Sequence, residues 1–214
     1  FRSELTQFSR QRSVGLKAIE LDEGDELVYT AITNGECDII LFASNGKAAR
    51  FKESTVRAMG RVSRGVRGIR MGDEDRVVGM VVPEDGGRVL TLSEQGYGKR
   101  TAVEEFPTKG RGTQGVIAMQ TSERNGALVG AVQVMDGEEI MLITDQGTMV
   151  RTGVDEVSVL SRNTQGVRLI RLKPNEQLSG LERIEESEDD DEDSAEASAE
   201  TPAQSPDEAP SDSE

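Results

Sequence analysis

Apolar positions recur along this chain in a fixed pattern. Three short apolar runs, Ile39-Ile40-Leu41-Phe42, Val89-Leu90-Thr91-Leu92 and Ile140-Met141-Leu142-Ile143, each run into a turn. A glycine follows, and then a segment carrying a cation: Gly46-Lys47-Ala48-Ala49-Arg50, Gly96-Tyr97-Gly98-Lys99-Arg100 and Gly147-Thr148-Met149-Val150-Arg151. Apolar run, glycine turn and returning strand predict a β-hairpin with a positive second arm. Because the arginine keeps its place in the unit, one geometry is expected to display Arg50, Arg100 and Arg151 on one surface.

The unit repeats in three independent registers. The second glycines Gly15, Gly65, Gly115 and Gly166 are spaced by 50, 50 and 51 residues. Leu27, Val77, Leu128 and Leu178 are spaced by 50, 51 and 50, and the turn glycines keep the same step. After each hairpin comes a loop rich in Arg, Thr and Gly: Arg61-Val62-Ser63-Arg64-Gly65-Val66, Arg111-Gly112-Thr113-Gln114-Gly115-Val116 and Arg162-Asn163-Thr164-Gln165-Gly166-Val167. A strand is expected after the second glycine. An acidic turn follows, as in Asp22-Glu23-Gly24-Asp25-Glu26 and Gly72-Asp73-Glu74-Asp75, and a last apolar strand over 77–82, 128–134 and 178–181 closes the unit. About four strands in roughly 50 residues is the size of a propeller-like blade.

Phe1 aligns with Phe51, Thr101 and Thr152, so the first repeat is incomplete. The expected architecture is all-β, an open arc of about three and a half blades over 1–184. The acidic turns read as ordinary turn chemistry, and their spacing does not match the EF-hand loop. From Glu185 to Glu214 the chain is Glu, Asp, Ser, Ala and Pro apart from Thr201 and Gln204, with nothing to bury an apolar face, and is expected to be disordered.

Charge changes the picture. The 214 residues carry 40 Asp+Glu against 25 Lys+Arg, a formal net charge of −15. Of the acidic residues 14 lie in 185–214, which leaves 26 against all 25 basic ones in the blades. The blades are near neutral and the excess sits in the tail. There is no His, and Cys37 is the one cysteine, so a disulfide or a cysteine–histidine metal site is excluded. Cys37 reads as a small half-buried side chain beside a strand start. No apolar run approaches the ~20 residues of a membrane helix. The chain opens on Phe1 without a signal segment, and is expected to be a cytoplasmic piece of a longer protein.

No nucleophile elbow, P-loop or catalytic constellation is present. Gly96-Tyr97-Gly98 lacks the third glycine and helix of a dinucleotide fingerprint. Tyr29 and Tyr97 have no flanking base and read as strand packing. What remains is a basic surface. Its candidates are Lys47, Arg50, Lys52, Arg57, Arg61, Arg64 and Arg67, then Lys99, Arg100, Lys109 and Arg111, then Arg151, Arg162, Arg168 and Arg171. Cations interleaved with Gly, Ser, Thr, Gln and Asn suit phosphate contact. Aromatics at 3% are too sparse for base stacking, which argues against single-stranded ligands and for duplex backbone. The competing reading is that these charges keep an all-β protein soluble and guard its edges.

Phe51-Lys52-Glu53-Ser54-Thr55-Val56-Arg57-Ala58-Met59-Gly60, Gly65-Val66-Arg67-Gly68-Ile69-Arg70, Gly96-Tyr97-Gly98-Lys99-Arg100-Thr101 and Arg162-Asn163-Thr164-Gln165-Gly166-Val167 closely resemble the C-terminal domain of the bacterial DNA gyrase A protein. The resemblance covers about 1–184, and the acidic tail fits it. It implies a β-pinwheel whose neighbouring blades exchange strand elements and whose basic perimeter wraps duplex DNA in support of ATP-driven negative supercoiling. It further implies an A2B2 assembly with the gyrase B protein and the rest of the gyrase A protein, ATP and Mg2+ used elsewhere, and a cytoplasmic, chromosome-associated protein. The family's glutamine-arginine-glycine box is not found here, so this piece alone is expected to bind DNA weakly and to supercoil nothing. The family's catalytic tyrosine follows an arginine, whereas Tyr29 follows Val28 and Tyr97 follows Gly96. The tail's 14 negative charges are expected to compete with DNA for the basic rim. Two alternatives stay open: the related domain of topoisomerase IV, and a propeller-type protein-interaction module.

Overall fold

The structure, a computed structural model, describes residues 1–10 and 13–184. The expected acidic tail lies outside the described residues. Phe1–Ile184 holds together as one unit by its internal contacts. Its strands are β1 (Asp38–Ala43), β2 (Lys47–Lys52), β3 (Val77–Val81), β4 (Arg88–Ser93), β5 (Tyr97–Ala102), β6 (Val116–Ile117), β7 (Leu128–Val134), β8 (Glu139–Thr144), β9 (Met149–Gly153), β10 (Val167–Arg168) and β11 (Leu178–Ile184). Three antiparallel sheets result, with orders β3-β1-β2-β6, β7-β4-β5-β10 and β11-β8-β9. They are blades I, II and III.

The three predicted hairpins form where expected. Gly46, Gly96 and Gly147 take φ of 79°, 77° and 81°, and their N–H groups close turns on Ala43, Ser93 and Thr144. The left-handed glycine matches the twist of the flanking strands. At two of the three turns glycine is also needed for space. A Cβ on Gly46 would collide with the Met119 carbonyl, and one on Gly96 would lie 2.7 Å from the Ile170 carbonyl. Gly147 meets nothing within 4 Å.

That difference exposes the connection between blades. The strand after the second glycine does not join the sheet of its own repeat. β6 crosses back to β2 in the register Lys47↔Ile117, and β10 crosses back to β5 in the register Tyr97↔Arg168. The Gly46 carbonyl accepts from the Ala118 and Met119 N–H groups, and the Gly96 carbonyl from Leu169 and Ile170. Each blade is therefore finished by the next repeat. Blade III has no such strand among the described residues, and β9 is its edge.

The innermost strands of the three blades meet each other: Gly79 of β3 lies against Ala131 of β7, and Gly130 of β7 against Leu181 of β11. β6 and β10 then mark the outer rim. One core fills the space between blades I and II, with Ile40, Phe42, Val89, Phe106 and Leu128 fully buried and the Phe42 and Phe106 rings edge to face at 5.7 Å. A second core, with Leu90, Leu92, Ile140, Leu142 and Leu178, joins blades II and III. Each such side chain contributes about 1.5–3 kcal/mol. β4 serves both cores, so it is buried on both faces. β8 serves one and alternates buried with half-buried positions.

Residues 1–37 contain no strand among the described residues, only a 3-10 turn at Leu5–Phe8 amid turns, bends and irregular backbone. They nevertheless cover the outer flank of blade I. Arg2 accepts the Met59 N–H at its carbonyl, as Arg50 accepts Lys109 and Arg100 accepts Leu160. Arg2 thus takes the place of the recurring arginine, two residues later than the sequence register puts it. The shift comes from the first repeat having two fewer residues between this position and its second glycine.

Candidate nucleic-acid interface

The recurring arginines do not share an open surface. Arg50 donates from Nε to Asp38 Oδ2 at 2.8 Å and from Nη1 to the carbonyls of Val103 and Phe106 at 3.0 and 3.2 Å. Arg100 donates from Nε to the Val157 carbonyl at 2.8 Å and from Nη1 to Asp136 and Asp155 at 2.6 and 3.2 Å. Only 7% of Arg100 is exposed. Arg2 repeats the motif, with Glu53 at 3.1 Å and the Val56 carbonyl at 3.2 Å. Val56, Phe106 and Val157 all follow a 3-10 turn in the next repeat. Each arginine therefore reaches out of its own blade and ties down the turn of the next one. Arg50 and Arg100 do not form the open rim that the sequence predicts: carbonyls and carboxylates take the Nε and Nη1 donors of both, and Arg50 is half-buried and Arg100 buried. Arg151, with no following blade among the described residues, is exposed and pairs with Glu139 of its own hairpin.

One substitution in the repeat is compensated. Asp38, Arg88 and Glu139 occupy the same hairpin position, opposite Lys52, Ala102 and Gly153. In blade II this would leave two arginines facing each other. Asp136 from the next repeat receives both, at 2.6 Å from Arg88 and 2.6 Å from Arg100. The hydrogen bond from Arg88 is the main cause that holds the Asp136 carboxyl below its usual value. Burial pushes the Asp38 carboxyl up, but hydrogen bonds from Arg50 and Thr108 outweigh it and the net direction is down.

Three further candidates are tied to a neighbouring repeat: Lys99 is buried, Arg162 half-buried and Arg111 exposed. Lys99 is fully buried and donates to the carbonyls of Ser161 and Arg162 and to Thr164 Oγ1, at 2.7, 2.5 and 3.1 Å. Burial lowers its pKa to about 8. Arg111 donates to the carbonyls of Thr55 and Arg67, and Arg162 to that of Ile117. Arg67 and Ile117 follow the second glycine by the same two residues, so these two arginines are another recurring tie between repeats.

What remains is exposed or half-exposed: Lys47, Lys52, Arg57, Arg61, Arg64, Arg67, Lys109, Arg168 and Arg171. Lys52 is 3.7 Å from Asp38, and Arg64 is 3.0 Å from Asp22 with both side chains mostly in solvent. Such exposed pairs contribute about 0–1 kcal/mol and yield readily to a polyanion. The structure adds exposed Arg70 and Arg124. Arg124 sits in a turn where the other repeats carry carboxylates, so the reading of that turn as acidic hid it.

Blade II gathers a local cluster at the rim. The Tyr97 ring lies under Arg124 and Arg168, with guanidinium carbons 5.0 and 5.3 Å from its centroid. Its hydroxyl accepts from Arg124 Nε at 3.2 Å and from Arg168 Nη2 at 2.8 Å. These bonds, Arg124's first, lower the Tyr97 pKa. Tyr29 instead donates to the Val78 carbonyl, and burial raises its pKa. Both tyrosine hydroxyls are thus engaged.

Sequential antiparallel sheets, the first two completed to four strands by a strand from the next repeat and all packed through their innermost strands, define a strand-exchanged propeller. The family profile described as DNA gyrase C-terminal domain, beta-propeller, matches residues 1–34, 38–84, 87–135 and 138–185. The chain belongs to that family. It is 60% identical over 185 residues to the DNA gyrase A protein of Pseudomonas aeruginosa, and 53% identical over 189 residues to that of Escherichia coli K12. These matches cover 86% and 88% of this chain but 20% and 22% of the relatives, so the chain spans about a fifth of their length. Among solved structures, a DNA gyrase A C-terminal domain superposes with a TM-score of 0.69 at 24% identity, covering 80% of this chain and 58% of that one. The C-terminal domain of a DNA topoisomerase IV gives 0.79 at 23% identity, covering 86% and 58%. At these identities the two structures speak for the fold.

Proposed function

We propose that this chain is the DNA-wrapping portion of a DNA gyrase A protein. It holds duplex DNA along the blade rim by contacts to phosphates rather than to base edges, and so supports ATP-dependent negative supercoiling by the whole enzyme. The observation that carries the reading is the division of the cations. Those tied to carbonyls and carboxylates of a neighbouring repeat join the blades, while Lys47, Arg57, Arg61, Arg67, Arg70, Lys109, Arg168 and Arg171 have no carboxylate partner among the described residues. Fixed cations spread over rigid blades match a polyanion of regular charge spacing.

The reading places double-stranded DNA, the gyrase B protein and the rest of the gyrase A protein as partners in an A2B2 complex, and the protein in the cytoplasm at the chromosome. Strand cleavage and the use of ATP and Mg2+ belong elsewhere in that complex. A bending assay on a duplex of ~100 base pairs with the full-length gyrase A protein tests it: the ends should approach when protein is added. A duplex that stays straight at saturation would favour a protein-interaction module instead.

A further inference from the structure

We infer that Tyr97, Arg124, Arg168 and Arg171 form a phosphate clamp on blade II, one strong anchor among otherwise diffuse rim contacts. The inference rests on the duplex-binding reading for the identity of the phosphate group.

Three separate segments build the cluster. Tyr97 opens β5, Arg168 lies directly across from it in β10, and Arg124 comes from the turn between Ser122 and Gly126. Together with Arg171 they border a surface groove of about 580 Å³, whose remaining lining is Gly166, Val167, Leu169 and Ile170. Two guanidinium groups against one ring repel each other, and such a pair is normally bridged by a carboxylate. Elsewhere in this chain it is: Asp136 bridges Arg88 and Arg100. Here the bridging atom is the neutral Tyr97 hydroxyl, and no carboxylate lies within ion-pair distance of Arg124, Arg168 or Arg171 among the described residues. Glu94, the carboxylate of the same hairpin turn, accepts the Ala127 N–H. Arg124 and Arg168 each spend one donor on the phenol and keep the rest of the fork, the geometry suited to a phosphate, and Arg171 lines the same groove. Tyr97 is a positioning residue: 3% exposed, it holds the two forks side by side.

Among the described residues the arrangement occurs once. In blade I the corresponding cross-strand pair is Lys47↔Ile117, and its turn carries Asp73, Glu74 and Asp75. In blade III Thr148 stands in the place of Tyr97, and no outer strand covers it among the described residues.

The chain provides its own reporter, since it has two tyrosines and no tryptophan. The two phenols are separated in the direction of their shifts, Tyr97 down and Tyr29 up. Phenolate absorbance of the full 214-residue chain is titrated with and without inorganic pyrophosphate, at ionic strength matched with sodium chloride. The lower transition should move to higher pH with pyrophosphate and stay put with chloride. No movement overturns the clamp. In parallel, the Arg124→Ala, Arg168→Ala double variant should lose about tenfold in duplex affinity, against about twofold for Arg57→Ala, with Arg168→Lys intermediate. If the wild type binds duplex and the double variant binds it equally well, the clamp is overturned and the duplex reading stands. If pyrophosphate moves the phenol but the full-length wild-type gyrase A protein binds no duplex, the phosphate site stands and the duplex reading falls.

Discussion

A single side chain shows how this fold uses charge. Lys99 lies in a strand of the middle blade, where its ammonium would be costly to desolvate unless every donor found an acceptor. Two carbonyls and a threonine hydroxyl of the next repeat supply them. Burial still prevails and leaves the folded pKa at about 8, below the usual lysine value of roughly 10.4. Between these values the unfolded chain holds the proton that the folded chain has released, so stability attributable to this group rises from about pH 8 to about pH 10. Urea unfolding across that window should show the rise in the wild type, and Lys99→Met should flatten it. An unchanged slope in the variant would show that the ammonium is solvated. Lysine in a basic strand read as a surface residue in the sequence. Nothing in Gly98-Lys99-Arg100 says that a neighbouring repeat will cover it, because burial here is a property of the junction.

At the scale of elements, the sequence announced the hairpins well. Apolar runs, turn glycines and a step of about 50 residues located β1, β2, β4, β5, β8 and β9 and the closing strands to within a few residues. The exchange of β6 and β10 between blades was legible only through the family resemblance. Two-residue strands carry no periodicity, and a repeat in sequence does not state which sheet its last strand joins. The glycines record it in hindsight. Gly46 is pressed by the crossing strand from the next repeat, whereas Gly147 faces open space. Gly147→Ala should therefore cost only the left-handed backbone strain, about 1–2 kcal/mol. Gly46→Ala must also displace the crossing strand and should cost clearly more, with a larger drop in thermal midpoint. Equal drops would mean that the outer strand contributes little to blade I. The edge strand β9 belongs to the same argument: its Met149 is 66% exposed because no crossing strand covers it among the described residues.

For the whole unit, two of the three regularly spaced arginines, Arg50 and Arg100, are held in joints between blades, and the third, Arg151, is exposed. Regularity in sequence marked the joints between blades, where one geometry must recur. The exposed cations are scattered and differ from blade to blade, with one cluster at Tyr97. This division is the central claim. It is tested most directly by measuring, on one variant, both stability and the salt dependence of duplex affinity. With about five phosphates touched, the wild type should show log affinity falling against log salt with a slope near −4 to −5. Arg100→Gln removes hydrogen bonds to Asp136, Asp155 and the Val157 carbonyl, and should lower unfolding stability by about 2–3 kcal/mol. Well below its melting temperature it should keep the wild-type slope. A slope reduced by about one with stability intact would place Arg100 on DNA and contradict the account.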